Sequence, residues 1–125
     1  ARDFVAGAFE PGDHAATFGG NPFATAVAIE TVKTILGVKL LQNAQKMGEY
    51  FLDKLGGLKF LKNVRGLGCM IGADVDGGAK DLVKKCIDKG LLINAVGDQT
   101  LRVLPPLTVT KKEIDLAVSI LEEVV

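Results

Sequence analysis

Between Leu40 and Val125 the apolar residues repeatedly change their spacing, and no other feature of the chain restricts its fold as strongly. Leu40, Leu41, Ala44, Met47, Phe51, Leu52 and Leu55 recur at three- and four-residue steps, with Lys39, Gln42, Gln45, Lys46, Glu49 and Asp53 turned away. That is the period of one helix face, and Gly56 and Gly57 end it. The period then falls to two in "LKFLKNV" and "LGCMIGADV", where Leu67, Cys69, Ile71, Ala73 and Val75 share one side. Alternation of this kind predicts two strands, here a hairpin pivoting at Arg65 and Gly66. Beyond Gly77 and Gly78 the helical period returns at Leu82, Val83, Cys86 and Ile87, closed by Gly90. "LLINAV" and "TLRVLP" give two short strands about Gly97 and Asp98, until Pro105 and Pro106, which lack an N–H, stop the ladder. Thr110 and Glu113 then form a capping box that opens a last helix, with Ile114, Ala117, Val118, Leu121 and Val125 on its buried face.

The order helix, two strands, helix, two strands, helix predicts an α/β domain of the two-layer α+β kind, a small and mostly antiparallel sheet covered by helices. Ahead of it, Asn21 suits an N-cap and Pro22 the first helical position, so a further helix is expected over 22–37. Its "FATAVAIETV" is apolar nearly all round, which predicts burial on several sides, and Gly37 is read as its left-handed stop. Residues 1–21 carry Gly7, Pro11, Gly12, Gly19 and Gly20 and read as an arm with turns. The domain reading is thus an arm at 1–21, a connecting helix at 22–37 and a compact domain at 38–125.

The 125 residues hold 15 basic and 15 acidic side chains, so no net field recruits nucleic acid or an anionic membrane. No apolar run approaches the roughly 20 residues of a membrane span, and a soluble, cytoplasmic protein is expected. Cys69 and Cys86 stand alone in apolar patterns, without the spacing of a zinc site, and are read as reduced core residues; no metal is expected.

Three places could carry chemistry. "TFGGN" joins the Thr17 hydroxyl, two flexible glycines and a helix start, which suits a bound anion such as phosphate, or else a glycine turn feeding a capped helix. Arg102 alternates away from Leu101 and Val103, and its planar fork suits a carboxylate, from a substrate or from an internal Asp or Glu. His14, beside Asp13, reads as a turn residue, and Ser119, the only serine, lies mid-helix, so no catalytic group is assigned within this chain.

In "FEPGDHAATFGGNPFATAVA", "VRGLGCMIGADV" and "KGLLINAVGDQTLRVLPPLTVTKKEIDLAVSILEEVV" the sequence resembles the class-III aminotransferases dependent on pyridoxal phosphate, and among them the acetylornithine aminotransferases. The resemblance covers the whole chain but only the C-terminal third or so of such an enzyme. It implies the end of the large domain, the connecting helix and the small C-terminal domain of a fold-type I enzyme, acting as a homodimer on N-acetylornithine and 2-oxoglutarate. On the matching positions, Thr17 would reach the phosphate of the neighbouring subunit's pyridoxal phosphate, and Arg102 would grip a substrate carboxylate. The position commonly serine and thought to touch substrate is Ala16 here, leaving backbone contact alone. The Schiff-base lysine belongs to a motif that no lysine of this chain matches, so the chain alone is expected to bind no cofactor and to be inactive. Ornithine, succinylornithine and 4-aminobutyrate aminotransferases are related readings, and a non-catalytic phosphate-binding or dimerisation module is a reading of another kind.

Overall fold

The computed structural model describes residues 2–125. It comprises two compact units, Ala1–Thr34 and Ile35–Val125, and the division falls within the last turn of a helix.

In the first unit, α1 (Asp3–Ala6) is a single turn that sequence spacing did not predict. α2 (Pro22–Gly37) begins where the Asn21–Pro22 pair places it. The Asn21 side chain accepts from the Ala24 N–H at 2.9 Å, a side-chain cap of the first turn. Two expectations for α2 do not hold. None of its residues is buried, because nothing among the described residues covers Phe23, Val27, Ile29, Val32 or Leu36. Gly37 stays helical, and the left-handed residue is Lys39 at φ 58°, the N-cap of the next helix.

The second unit is built from α3 (Leu40–Gly56), β1 (Leu61–Leu67), β2 (Met70–Val75), α4 (Ala79–Asp88), β3 (Asn94–Val96), β4 (Thr100–Val103) and α5 (Lys111–Glu123). The strands pair in the order β1-β2-β4-β3, antiparallel at each step. Ile71, Ala73, Val75 and Leu101 turn one face of the sheet inward against Ala44, Met47, Phe51 and Leu55 of α3, Leu82 and Cys86 of α4, and Ile114, Val118 and Leu121 of α5. One layer of helices on one face of an antiparallel sheet is the architecture the spacing implies.

Both later helices end or begin as their sequence dictates. Gly90, at φ 83°, closes α4 with the Leu91 N–H on the Cys86 carbonyl and the Gly90 N–H on that of Ile87, both at 2.9 Å, a Schellman pair. Thr110 and Glu113 form the reciprocal capping box of α5. The residue that completes the buried face of α5 is Val124, whereas Val125 is exposed.

The hairpin departs from expectation. Leu67 pairs with Met70, so the two-residue turn is Gly68–Cys69, and Arg65 and Gly66 lie inside β1 opposite Gly72 and Ile71. Gly68 supplies the positive φ, 55°, that the first position of such a turn requires. Gly66 is glycine for a different reason: a β-carbon there would stand 2.5 Å from the Met70 carbonyl oxygen. Because the chain reverses after Leu67, that residue does not share the inward face with Cys69 and is 89% exposed. Among the described residues no helix is long and apolar enough to cross a membrane.

Candidate functional site

Strand register brings a row of side chains together on the sheet face opposite the helices. Gly72 on β2 pairs with Arg65 on β1 and with Arg102 on β4, and Arg102 pairs in turn with Asn94 on β3. Directly opposed residues of antiparallel strands share a face, so the row runs Arg65, Gly72, Arg102, Asn94. Leu101, next along β4, is 1% exposed and points into the core, which fixes Arg102 outward as the alternation required.

The Arg102 Nε donates to Asn94 Oδ1 at 3.2 Å. No carboxylate lies within ion-pair distance of its guanidinium among the described residues. Of the two readings left open by the sequence, an internal ion pair is therefore not formed, and Arg102 lines a shallow depression together with Leu92, Ile93, Asn94 and Leu104. An uncommitted planar fork beside apolar side chains is suited to grip a carboxylate with two parallel hydrogen bonds.

Diagonal to Arg102 stands Asp74, opposite Thr100. Its Oδ1 accepts from Thr100 Oγ1 at 2.8 Å and from the Arg65 guanidinium at 3.1 Å, while Oδ2 accepts from Asn63 Nδ2 at 3.1 Å. Asn63 reaches it because β1 bulges between Lys62 and Arg65, where Asn63 adopts φ 48°, a left-handed conformation that asparagine tolerates. The same bulge turns the Asn63 carbonyl to a second Arg65 nitrogen at 2.7 Å. Sequence reading placed Arg65 in a turn and passed over Asp74, Thr100, Asn63 and Asn94. Counting alternate positions outward from Arg102 and Gly72 would have put Arg65, Asp74, Thr100 and Asn94 on its face, but the bulge was not visible.

Hydrogen bonds from Thr100 first, then Arg65 and Asn63, hold the Asp74 carboxyl down to about 2 from its ordinary value of 3.8. A depressed folded-state value means that this carboxylate adds stability above the ordinary range and loses that contribution as pH falls from about 4 through about 2. Carbon-detected NMR titration is expected to place the Asp74 midpoint near 2, and Thr100→Val, which removes the principal donor, to move it upward.

The "TFGGN" segment lies in the other unit. Asn21 Nδ2 donates to the Phe18 carbonyl, folding the loop onto itself, and a β-carbon on Gly19 would stand 2.7 Å from that of Ala16. Glycine at 19 thus makes room for the Ala16 methyl. Pro22 has no N–H, that of Ala24 is taken by Asn21 Oδ1, and that of Thr25 by the Asn21 carbonyl at 3.0 Å. Phe23 alone keeps an open N–H in the first turn of α2. What remains for an anion is the loop: Thr17 Oγ1 and the backbone N–H groups of residues 17–20 have no partner among the described residues. Hydroxyl and backbone N–H donors of this sort suit phosphate oxygens.

Cys69 and Cys86 are free and buried, and burial pushes both thiols up, away from the reactive thiolate. His14 is exposed beside Asp13, whose carboxylate accepts from the Glu10 N–H at 2.8 Å in a turn. No group of His, Cys, Asp and Glu among the described residues could hold a metal ion.

The chain is 43% identical over its whole length to the acetylornithine aminotransferase of Methanothermobacter thermautotrophicus, of which it spans 33%. It is 46% identical over 93% of its length to that of Caldanaerobacter subterraneus subsp. tengcongensis, spanning 31%. It thus covers about a third of the length of the curated relatives it matches. Among solved structures, an ornithine δ-aminotransferase of Plasmodium falciparum superimposes with a TM-score of 0.80 at 34% identity, over 98% of this chain and 34% of that one. The acetylornithine aminotransferase of Elizabethkingia anophelis does so with a TM-score of 0.79 at 28% identity, over 96% and 34%. The aminotransferase class-III family matches residues 1–125. With the two-layer fold, the ordered motifs and this full-length match in agreement, the chain belongs to the class-III aminotransferase family.

Proposed function

We propose that this chain is the C-terminal part of an acetylornithine aminotransferase, which moves an amino group between N-acetylornithine and 2-oxoglutarate in arginine biosynthesis. The observation that carries the reading is the uncommitted fork of Arg102, outward on β4 and oriented by Asn94. Both substrates present a carboxylate that such a fork would hold in a fixed plane. In this reading residues 1–21 end the large domain, 22–37 connect, and 38–125 form the small domain.

The donors about Thr17 fit the phosphate of pyridoxal phosphate, and Thr17 would offer its hydroxyl to the cofactor of a neighbouring subunit in a cytoplasmic homodimer. The exposed apolar residues of α2 support a helix that is covered in such an assembly. Ala16 offers substrate its backbone alone. When bound, pyridoxal phosphate supplies an electron sink for the carbon that loses its proton. Arg102 binds the carboxylate and so sets where that carbon lies. No lysine of this chain stands in a matching Schiff-base motif, so these 125 residues by themselves are expected to show no transaminase activity.

The test is made in the longer polypeptide that carries this segment, with 2-oxoglutarate as acceptor and N-acetylornithine, ornithine, N-succinylornithine and 4-aminobutyrate as donors. N-acetylornithine is expected to give the highest kcat/KM, and equal or better use of another donor overturns the assignment. The likeness to ornithine δ-aminotransferase makes ornithine the second reading, decided by the same panel. Arg102→Lys, which keeps the charge and loses the planar fork, is expected to lower kcat/KM for 2-oxoglutarate about tenfold. An unchanged value would remove Arg102 from the carboxylate site.

A further inference from the structure

Asp74 has two arginines at diagonal positions on its own face of the sheet, Arg65 on β1 and Arg102 on β4, because Gly72, two residues before it on β2, is paired with both. Diagonal neighbours across antiparallel strands lie within reach of long side chains. Either guanidinium could therefore take the Asp74 carboxylate, yet Arg65 alone does, at 3.1 Å. The choice follows from local construction. The bulge at Asn63 holds Arg65 from behind through its carbonyl and pins Asp74 Oδ2 through its amide. Thr100 fixes Oδ1 from directly across the ladder. On the other side, Asn94 draws the Nε of Arg102 toward the β3 edge, away from Asp74. Gly72 leaves the space between the two arginines clear, and a β-carbon there would lie 3.9 Å from the Arg65 guanidinium carbon.

We infer that Arg65 is a positioning residue for Arg102: by engaging Asp74 it keeps the nearest internal carboxylate off the fork and so leaves that fork open to an external carboxylate. The first half of this statement rests on the geometry alone. The second rests on the carboxylate reading of Arg102 given above. An unengaged Asp74 would act as an intramolecular competitor, present at every moment and at fixed distance, against a carboxylate arriving from solution. Arg65 need touch neither substrate nor cofactor to have this effect.

The experiment uses phenylglyoxal, which attacks uncommitted guanidinium groups, on the folded 125-residue chain, with modification of each arginine followed by mass spectrometry. The chain has three arginines, and exposed Arg2 serves as the internal standard. In the parent chain Arg102 is expected to react faster than Arg65. In Arg65→Met, which keeps the aliphatic stem over Gly72, the Arg102 rate relative to Arg2 is expected to fall about two- to fivefold, the range of a surface ion pair. In Arg65→Met with Asp74→Asn it is expected to return to the parent value. Rescue separates the proposal from a merely structural role, since a loosened sheet would not be repaired by removing a carboxylate. Thr100→Val, which releases Asp74 from its other side, is expected to give a smaller fall, and it carries the test if the Arg65 variant does not melt cooperatively. An Arg102 rate unchanged in both single variants overturns the inference, as does a slowing that persists in the double variant. Protection of Arg102 by 2-oxoglutarate is measured alongside: its absence overturns the carboxylate reading and leaves the Arg65–Asp74 result standing.

Discussion

Alanine in place of Gly48 is expected to destabilise the chain by about 3 kcal/mol, although the position lies in the middle of α3, where the same change ordinarily adds up to about 1 kcal/mol. The sign is reversed by a close approach of backbone to backbone. A β-carbon at 48 would stand 2.0 Å from the carbonyl oxygen of Gly68 and 2.5 Å from its carbonyl carbon. Neither atom can rotate away, because both belong to the hairpin turn, where Gly68 already occupies a left-handed conformation. One turn back on the same helix face, the Ala44 carbonyl accepts from the buried Cys69 thiol at 3.9 Å, so helix and turn are seated against each other over two consecutive turns. Relief would require lifting β1–β2 off α3 and parting Ala44, Met47, Cys69 and Ile71, all buried. Urea unfolding of Gly48→Ala beside Gly56→Ala makes the measurement. Gly56 also lies in α3 but faces open space, and alanine there is expected to be neutral or to stabilise by up to about 1 kcal/mol. If the two variants shift stability in the same direction, the close approach does not have the role given to it.

Gly48 marks where sequence reading stops and geometry takes over. The period of α3, the capping box of α5, the Asn21–Pro22 start of α2 and the burial of both cysteines follow from side-chain chemistry within a few residues, and all are present in the fold. The hairpin is different. "RGLG" offers two glycines, and a turn at either satisfies alternation; only the approach of Gly66 to the Met70 carbonyl, and of Gly68 to α3, assigns one to the strand and the other to the turn. Those are contacts between segments, which spacing along the chain does not encode. The same distinction governs α2. Its residues are apolar nearly all round, yet nothing among the described residues covers them, so composition predicted a burial that the structure does not show.

At the candidate site, the outward direction of Arg102 was legible because a strand alternates, and the fitness of its fork for a carboxylate is a matter of local guanidinium chemistry. Its freedom was not. Whether Arg102 is paired internally depends on which neighbour claims Asp74, and that is settled by a bulge at Asn63 and by the hydroxyl of Thr100. The Thr17 loop shows the converse. Helix-start chemistry suggested that α2 would present open N–H groups, yet the residue that makes the helix start, Asn21, takes those of Ala24 and Thr25 and leaves only that of Phe23, and the other unpartnered donors lie in the glycine loop before it.

The distinction between an apolar pattern and an apolar core gives the second large effect. Leu41 and Leu55 are both apolar positions of α3 in the same three- and four-residue repeat, and spacing alone ranks them equally. Leu55 is 0% exposed, whereas Leu41 is 59% exposed. Leu55→Ala is expected to cost about 4 kcal/mol, in the upper half of the range for such truncations, because the walls of the cavity it leaves cannot close. Leu58 and Leu61, both buried, follow it through a tight turn in which the Leu58 N–H is bonded to the Leu55 carbonyl at 3.1 Å. On the opposite side, Tyr50 and Lys54 tie α3 to Asp115 of α5, at 2.7 and 3.3 Å. The turn after Leu55 and the ties between α3 and α5 fix the segments around the vacancy, so little of the lost contact is recovered. For a domain of ordinary stability, about 5–15 kcal/mol, this removes a quarter or more of the total. Leu41→Ala removes a side chain already in water and is expected to change stability by less than about 0.5 kcal/mol. Chemical denaturation of the two variants, with m-values checked for constancy, decides the matter: comparable losses would mean that the helix face assigned to the core is rotated from the one the protein uses.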